Sequence, residues 1–380
     1  MKIFYDENMP FAAELFARFG QVVSFAGREC HAGLIADADV LLVRSITRVD
    51  EVLLSKASKL KFVGTATIGT DHIDQAYLAS RDIGFSSAPG CNAVSVAEYV
   101  LSAIKVLEQQ YGFSLQDKMV GIVGAGNTGS RLADKLTALG VNFVLCDPPL
   151  QEASDPRSFV SYDDLLNDAD ILSFHVPLIL DGKHPTYHLF AQPQLDKIKP
   201  DAVIINACRG EVLDNQVLLA AKQNGNANPL VLDVWEGEPN ILAPLLPYAD
   251  IATAHIAGYS DEGKAKGTFM LYEALCRCLG DAAGGQKQSL GDLLPASEFS
   301  QLQLTGNSSV DHQRINRIIH LVYDVRRDDA IFRQNIFSQG FDWIRKNYPQ
   351  RREFSSLTVS LNQPNPAISL LAQLGFTTGE

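Results

Sequence analysis

The stretch Met119-Val120-Gly121-Ile122-Val123-Gly124-Ala125-Gly126-Asn127-Thr128-Gly129 runs from an apolar segment straight into a glycine-rich turn. The apolar segment reads as a buried strand, and residues 130–139 behind the turn read as a helix. The pattern G-x-G-x-x-G is weak alone. A strand before it and a helix after it supply the context in which it binds a dinucleotide. Gly124 permits the tight turn, Gly126 lets backbone approach a pyrophosphate, and Gly129 lets helix and strand pack closely. Amides at the helix start, from Asn127 and Thr128 onward, then face phosphate oxygens. Asp147 ends the next strand candidate, 18 residues beyond Gly129. A carboxylate there accepts hydrogen bonds from ribose hydroxyls and repels a 2′-phosphate. Pro148 and Pro149 follow it rather than an arginine, so NAD is expected over NADP.

Working outward from the turn, strand candidates recur at 141–146, 171–175, 202–206, 230–232 and 251–254, most of them separated by helical segments. That alternation predicts a doubly wound parallel sheet. Residues 1–91 show a shorter alternation, with strands at 3–5, 22–25, 40–43, 62–64 and 83–86 and helices at 10–19 and 73–80. Between the two, Val94, Ala97, Val100, Leu101, Ile104 and Leu107 recur at helical spacing, predicting one amphipathic helix over 92–110. A helix over 261–279 returns the chain toward the first domain. Glycine and alanine concentrate at 280–288, a linker composition. Beyond it come a basic helical stretch at 313–327 and the segment Arg345-Lys346-Asn347-Tyr348-Pro349-Gln350-Arg351-Arg352. Such a basic segment reads as a solvated face.

The 380 residues suit two or three domains. Hydrophobic residues at 46% and charged residues at 20% are the profile of a folded protein. A net charge of −12 argues against bulk binding to nucleic acid or to anionic membranes. No apolar run is long enough for a membrane-spanning helix. The opening Met1-Lys2-Ile3-Phe4-Tyr5-Asp6-Glu7 lacks the apolar region of a signal peptide, so a cytoplasmic location is expected. The six cysteines form no C-x-x-C pair; free thiols and no metal site are expected.

Three further segments place polar residues behind an apolar strand. They are Ile204-Ile205-Asn206-Ala207-Cys208-Arg209-Gly210, Val231-Leu232-Asp233-Val234-Trp235-Glu236-Gly237-Glu238-Pro239 and Ile251-Ala252-Thr253-Ala254-His255-Ile256-Ala257-Gly258. In an open parallel sheet the carboxyl ends of the strands face the ligand crevice. Arg209, Asp233, Glu238 and His255 are therefore expected to converge there. Their chemistry suits alcohol oxidation. A histidine takes the hydroxyl proton, a carboxylate stabilises the imidazolium, and an arginine offers a planar fork to a substrate carboxylate.

Together with His175-Val176-Pro177-Leu178, these segments resemble the D-isomer-specific 2-hydroxyacid dehydrogenase family over about residues 60–260. The resemblance implies an α/β fold of two Rossmann-like, doubly wound domains with the active site in the cleft between them. It implies that Arg209 binds and polarises substrate, that Glu238 partners His255, and that His255 is the acid/base. It also implies that Asp233 contacts the nicotinamide carboxamide. The stretches Tyr5-Asp6-Glu7-Asn8-Met9-Pro10, Arg44-Ser45-Ile46-Thr47, Gly258-Tyr259-Ser260 and residues 64–74 and 341–349 resemble one branch of that family. That branch acts on a small anionic phosphorylated hydroxyacid and carries a smaller C-terminal α+β dimerisation domain, which extends the resemblance over essentially the whole chain.

What the branch implies is specific. Ser45, Thr67 and Tyr259 bind substrate, and the basic segment 345–352 offers, as the alternative to a solvated face, support near the substrate phosphate, across a dimer interface. Val176, Ala207, Cys208, Arg209 and Gly258 lie against NAD, with Asp147 at its ribose. Valine at 176 offers backbone only. The domains would be 1–91 for substrate, completed by about 258–285; 92–257 for NAD; and 286–380 for homodimerisation. Two alternatives stay open: a dehydrogenase of another phosphorylated 2-hydroxyacid such as 3-phosphoglycerate, and a non-catalytic NAD(H)-sensing binding protein. A formate dehydrogenase fits less well, because that branch pairs its histidine with a glutamine where this chain has Glu238.

Overall fold

A computed structural model of the chain describes residues 1–280, 293–304, 312–361 and 367–379. From residue 281 onward the expected linker at 280–288 lies outside the described residues. The chain divides into two compact units, Met1–Asn92 with Ser260–Pro295 and Ala93–Tyr259 with Ala296–Glu380.

The first unit holds five parallel strands: β1 (Lys2–Asp6), β2 (Gln21–Phe25), β3 (Val40–Val43), β4 (Phe62–Thr65) and β5 (Gly84–Ser86). Their order is β2-β1-β3-β4-β5. Strands β3 and β4 are buried throughout, which is why they read as unbroken apolar runs rather than alternating ones. One face packs Ile3, Phe16, Leu42 and Phe62 against Leu271 and Leu275 of the helix Asp261–Cys278. Gly64 makes that approach possible, since a Cβ there would stand 3.1 Å from Leu271 Cδ1. Strand order reverses between β1 and β3, so this sheet's ligand crevice opens beyond their carboxyl ends, where Asn8, Arg44 and Ser45 follow.

The second unit carries β6 (Met119–Val123), β7 (Asn142–Cys146), β8 (Ile171–Phe174), β9 (Val203–Asn206), β10 (Leu230–Leu232) and β11 (Ile251–Ala252). They form one parallel sheet in the order β11-β10-β9-β8-β6-β7, with the reversal between β6 and β8. A third, smaller sheet joins β12 (Gln301–Leu304), β13 (Thr358–Leu361) and β14 (Thr377–Thr378), again in parallel. The fold is α/β, two doubly wound parallel sheets with a small C-terminal sheet and its helices.

Two sequence expectations need correction. The helix Ala93–Tyr111 is not amphipathic: from Ser95 to Leu107 it is buried all round, Glu98 and Lys105 included. Its polar stripe is covered by C-terminal residues. Ser102 donates to Tyr323 O (3.1 Å) and accepts from Val325 N (3.1 Å). Glu98 pairs with Lys135 (3.2 Å) and accepts from Phe354 N (3.1 Å), while Lys135 also donates to Leu374 O (2.7 Å). Burial pushes the Glu98 carboxyl up, against the pull of Lys135 and Arg351. Such a buried pair is by itself weak evidence for stability. The basic stretch 313–327 is likewise two helices, His312–Val322 and Val325–Asn335, because Asp324 accepts from Arg326 N (3.1 Å) and caps the second. One apolar core therefore runs through the whole unit, from Tyr99, Ile104 and Trp235 to Tyr323, Phe332 and Leu371.

Candidate active site

The turn after β6 leads into the helix Asn127–Ala138. Its glycines answer to different constraints. A Cβ on Gly129 would stand 2.0 Å from Gly124 O, and one on Gly124 would stand 2.6 Å from His175 O and 2.9 Å from Val176 Cγ1. A Cβ on Gly126 would meet nothing within 4 Å. Protein packing thus requires Gly124 and Gly129, whereas Gly126 faces open space that a pyrophosphate can fill. No side chain caps the helix, so its first amides are available to phosphate oxygens. Gly126 and Asn127 are exposed and Thr128 half-buried.

Asp147 closes the turn from β7. Its Oδ2 accepts from Ala125 N (2.8 Å) and its Oδ1 from Leu150 N (3.1 Å). Arg157, which the sequence reading passed over, donates to Ala125 O (2.9 Å) and Ser130 Oγ (2.8 Å). Its fork is already committed to Asp155, at 2.8 and 2.9 Å, so it is not held in reserve for a 2′-phosphate. These features fit NAD.

The strand-end residues gather at the carboxyl edge of β9, β10 and β11. Asp233, 1% exposed, organises them. Three successive amides bind it: His255 N to its carbonyl (2.6 Å), Ile256 N to Oδ1 (2.8 Å) and Ala257 N to Oδ2 (2.9 Å). Thr253 Oγ1 also donates to Oδ1 (2.7 Å), and Tyr99 O–H in turn bonds Thr253 (2.8 Å). Burial raises the Asp233 carboxyl against these donors and His255. The knot holds His255 at φ 55°, a left-handed backbone seldom adopted by a residue other than glycine.

His255 Nδ1 lies 2.8 Å from Glu238 Oε2, and Glu238 Oε1 accepts from Trp235 N (2.9 Å). Burial would raise the Glu238 carboxyl, but His255, Arg345 and the Trp235 amide outweigh it and hold it below the usual range. An ionised Glu238 can only accept, so Nδ1 carries a proton toward it and Nε2 is the ring nitrogen left for proton transfer.

Arg209, half-buried, follows β9 and donates to Cys208 O (2.7 Å). Gly210 next to it packs on the Trp235 carbonyl, where a Cβ would fall within 2.1 Å. Ala207 is half-buried. Cys208 is buried, its thiol pushed up to about 11 chiefly by burial, and it sits beside the Val176 amide as an inert filler. Gly258 and Tyr259 follow the Asp233 knot; Tyr259 N donates to Ile256 O (2.8 Å). In the first unit, Ser45 is exposed just past β3. Thr67 Oγ1 donates to Gly69 O (2.8 Å) and bonds Thr65 Oγ1 (2.8 Å), so its hydroxyl takes part in the turn itself.

The expected solvated face at 345–352 is overturned at Arg351, which is 2% exposed. Arg351 donates to Ala257 O (2.9 Å) and Ser95 O (2.6 Å) and stacks 3.5 Å over the Tyr323 ring. It holds the carbonyl of Ala257, the residue whose amide Asp233 holds. Nothing in the local sequence marks it, because its partners lie 94 and 256 residues away. Elsewhere, ligand atoms of His188, Asp214 and Glu236 lie within 4.8 Å of one another, but these groups bond each other.

A nucleotide turn at the switch point and an Arg, Glu and His at successive strand ends define a nicotinamide-dependent hydroxyacid dehydrogenase. The D-isomer specific 2-hydroxyacid dehydrogenase, NAD binding domain, matches residues 97–257, and a domain of unknown function matches 293–375. The erythronate-4-phosphate dehydrogenase of Tolumonas auensis is 53% identical over 378 residues, 99% of each chain. That of Colwellia psychrerythraea is 51% identical over 95% of this chain and 96% of its own. Among solved structures, D-lactate dehydrogenase from Aquifex aeolicus, complexed with NAD and lactic acid, is similar at TM-score 0.60 and 25% identity, over 74% of this chain and 97% of that one. An NAD-bound 3-phosphoglycerate dehydrogenase of Entamoeba histolytica shares the fold at TM-score 0.64 and 21% identity, over 76% of this chain and 99% of that one. The chain belongs to the erythronate-4-phosphate dehydrogenase family of NAD-dependent 2-hydroxyacid dehydrogenases. Among the described residues no helix is long and apolar enough to cross a membrane.

Proposed function

We propose that this enzyme oxidises 4-phospho-D-erythronate to (R)-3-hydroxy-2-oxo-4-phosphooxybutanoate, a step of pyridoxal 5′-phosphate biosynthesis in the cytoplasm. The observation that carries the reading is the 2.8 Å bond from His255 Nδ1 to Glu238 in the same unit as the nucleotide turn. NAD, when bound, accepts the hydride from C2. His255 Nε2 takes the C2 hydroxyl proton as the C–H bond breaks and the carbonyl forms. Glu238 stabilises the imidazolium produced and fixes the ring's tautomer. Arg209 binds the substrate carboxylate with its planar fork and polarises the reacting oxygen. Asp233 positions the His255 loop and contacts the nicotinamide carboxamide. Gly124, Gly126, Asn127, Thr128 and Gly129 hold the pyrophosphate, Asp147 the ribose, and Val176, Ala207, Cys208 and Gly258 line the cofactor. Ser45, Thr67 and Tyr259 contact substrate.

The C-terminal segment serves as the dimerisation surface of a homodimer. Support comes from its large exposed apolar side chains, Phe337 at 73% and Trp343 at 43%. The reaction is tested by NADH formation over a panel of 2-hydroxyacids, with a 2-oxoacid acceptor added to reveal turnover masked by slow NADH release. Turnover of 4-phosphoerythronate is the expected result. Activity on 3-phosphoglycerate with none on 4-phosphoerythronate would overturn the substrate assignment.

A further inference from the structure

The proposed substrate has two anionic ends, and Arg209 answers one of them. A second guanidinium stands beside the same centre. Arg345, on the helix Phe341–Lys346, lies 5.5 Å from the Tyr259 ring centroid and 6.0 Å from that of Phe341. Tyr259 is itself pinned edge-on by Tyr348 at 5.7 Å. Arg345 is hydrogen-bonded to Tyr259, and its charge reaches Glu238 and helps keep that carboxylate ionised. Its Nε is buried and has no hydrogen-bond partner. The side chain as a whole is half-buried, and a buried donor left unmet calls for an acceptor. Aromatic faces hold the cation in place, and the charges of Glu238 and Asp342 reach it as well.

We propose that Arg345 is a specificity-determining residue that binds the phosphate of the substrate within its own chain, Tyr259 and Phe341 fixing the guanidinium for that contact. The proposal rests on the reaction proposed above. It gives the C-terminal segment a share in substrate selection besides association. It also explains how a chain of net charge −12 can favour a polyanionic substrate: the opposing field is local, made of Arg209 and Arg345.

The test compares full-length wild type with Arg345→Met and Arg345→Lys. Two constants are measured: KM for 4-phosphoerythronate, and the competitive inhibition constant of unphosphorylated D-erythronate, which needs no turnover of that acid. Loss of a charge-assisted contact should raise KM about 10- to 100-fold in Arg345→Met. kcat should stay within about threefold, a change small on the scale of general acid–base catalysis. Arg345→Lys should recover part of the affinity, and D-erythronate should inhibit all three alike. Thermal melting and NADH fluorescence establish that each variant is folded and binds cofactor. Equal weakening of both ligands would overturn the proposal, since Arg345 would then act only through Tyr259 or Glu238. An unchanged KM, or a fall confined to kcat, would also overturn it. Should wild type turn over a different phosphorylated acid, the substrate reading fails, yet the same comparison with that acid and its unphosphorylated form still decides Arg345.

Discussion

His175 follows β8, beside the nucleotide turn, and its carbonyl lies where a side chain on Gly124 would need to go. Its Nε2 bonds Ser173 Oγ (2.8 Å), its Nδ1 is buried without a partner, and burial pushes its pKa down to about 4. An unfolded imidazole titrates near 6.5. Between those values the unfolded chain binds the proton and the folded one does not. The stability tied to a neutral His175 is therefore full above about 6.5 and is lost as pH falls toward 4. Imidazole NMR at pH 5 should find His175 neutral; a protonated ring there would refute the assignment. At this scale the sequence was informative where a parallel sheet does the placing. Arg209, Asp233, Glu238 and His255 follow strands whose carboxyl ends share one edge. It left the segment that holds Arg345 and Arg351 open, because a basic run looks the same whether its arginines meet water, a phosphate or distant carbonyls.

Among elements, the nucleotide turn separates structural from ligand-driven glycine. Gly126→Ala meets no neighbour and keeps φ −70°, so it should leave the melting temperature nearly unchanged while weakening NAD binding tenfold or more. Gly129→Ala drives a carbon into Gly124 O and should destabilise the protein outright. Calorimetry with and without NAD distinguishes the two; equal melting losses would contradict the reading. Arg351 couples the C-terminal segment to the catalytic loop. Arg351→Met removes both charge-assisted bonds to the Ala257 and Ser95 carbonyls and should cost about 2–4 kcal/mol of stability, with kcat falling more than NADH affinity. A denaturant titration and steady-state kinetics check both halves; unchanged stability would contradict them. The helix Ala93–Tyr111 shows why such coupling was illegible beforehand. A polar stripe at helical spacing predicts solvent, and only the tertiary structure reveals that Ser102 and Glu98 face protein.

For the whole molecule, the strand and helix alternation made both α/β sheets legible, since crossover connections demand it. The C-terminal residues were harder, because three short strands separated by helices carry little period-2 signal. Their exposed Phe337 and Trp343 belong to the proposed dimer surface. Phe337→Asp with Trp343→Asp should turn a sedimenting dimer into monomer while NADH still binds. A wild-type monomer, or a variant that stays dimeric, would contradict that assignment. The central claim is that His255, partnered by Glu238, moves the proton while hydride leaves the substrate. It is tested most directly by single-turnover NADH formation from 4-phosphoerythronate in wild type and His255→Ala, each shown to bind NAD. The account predicts a burst in wild type and a rate about 100- to 10,000-fold slower in the variant. Equal rates, or no NADH from wild type, would contradict it.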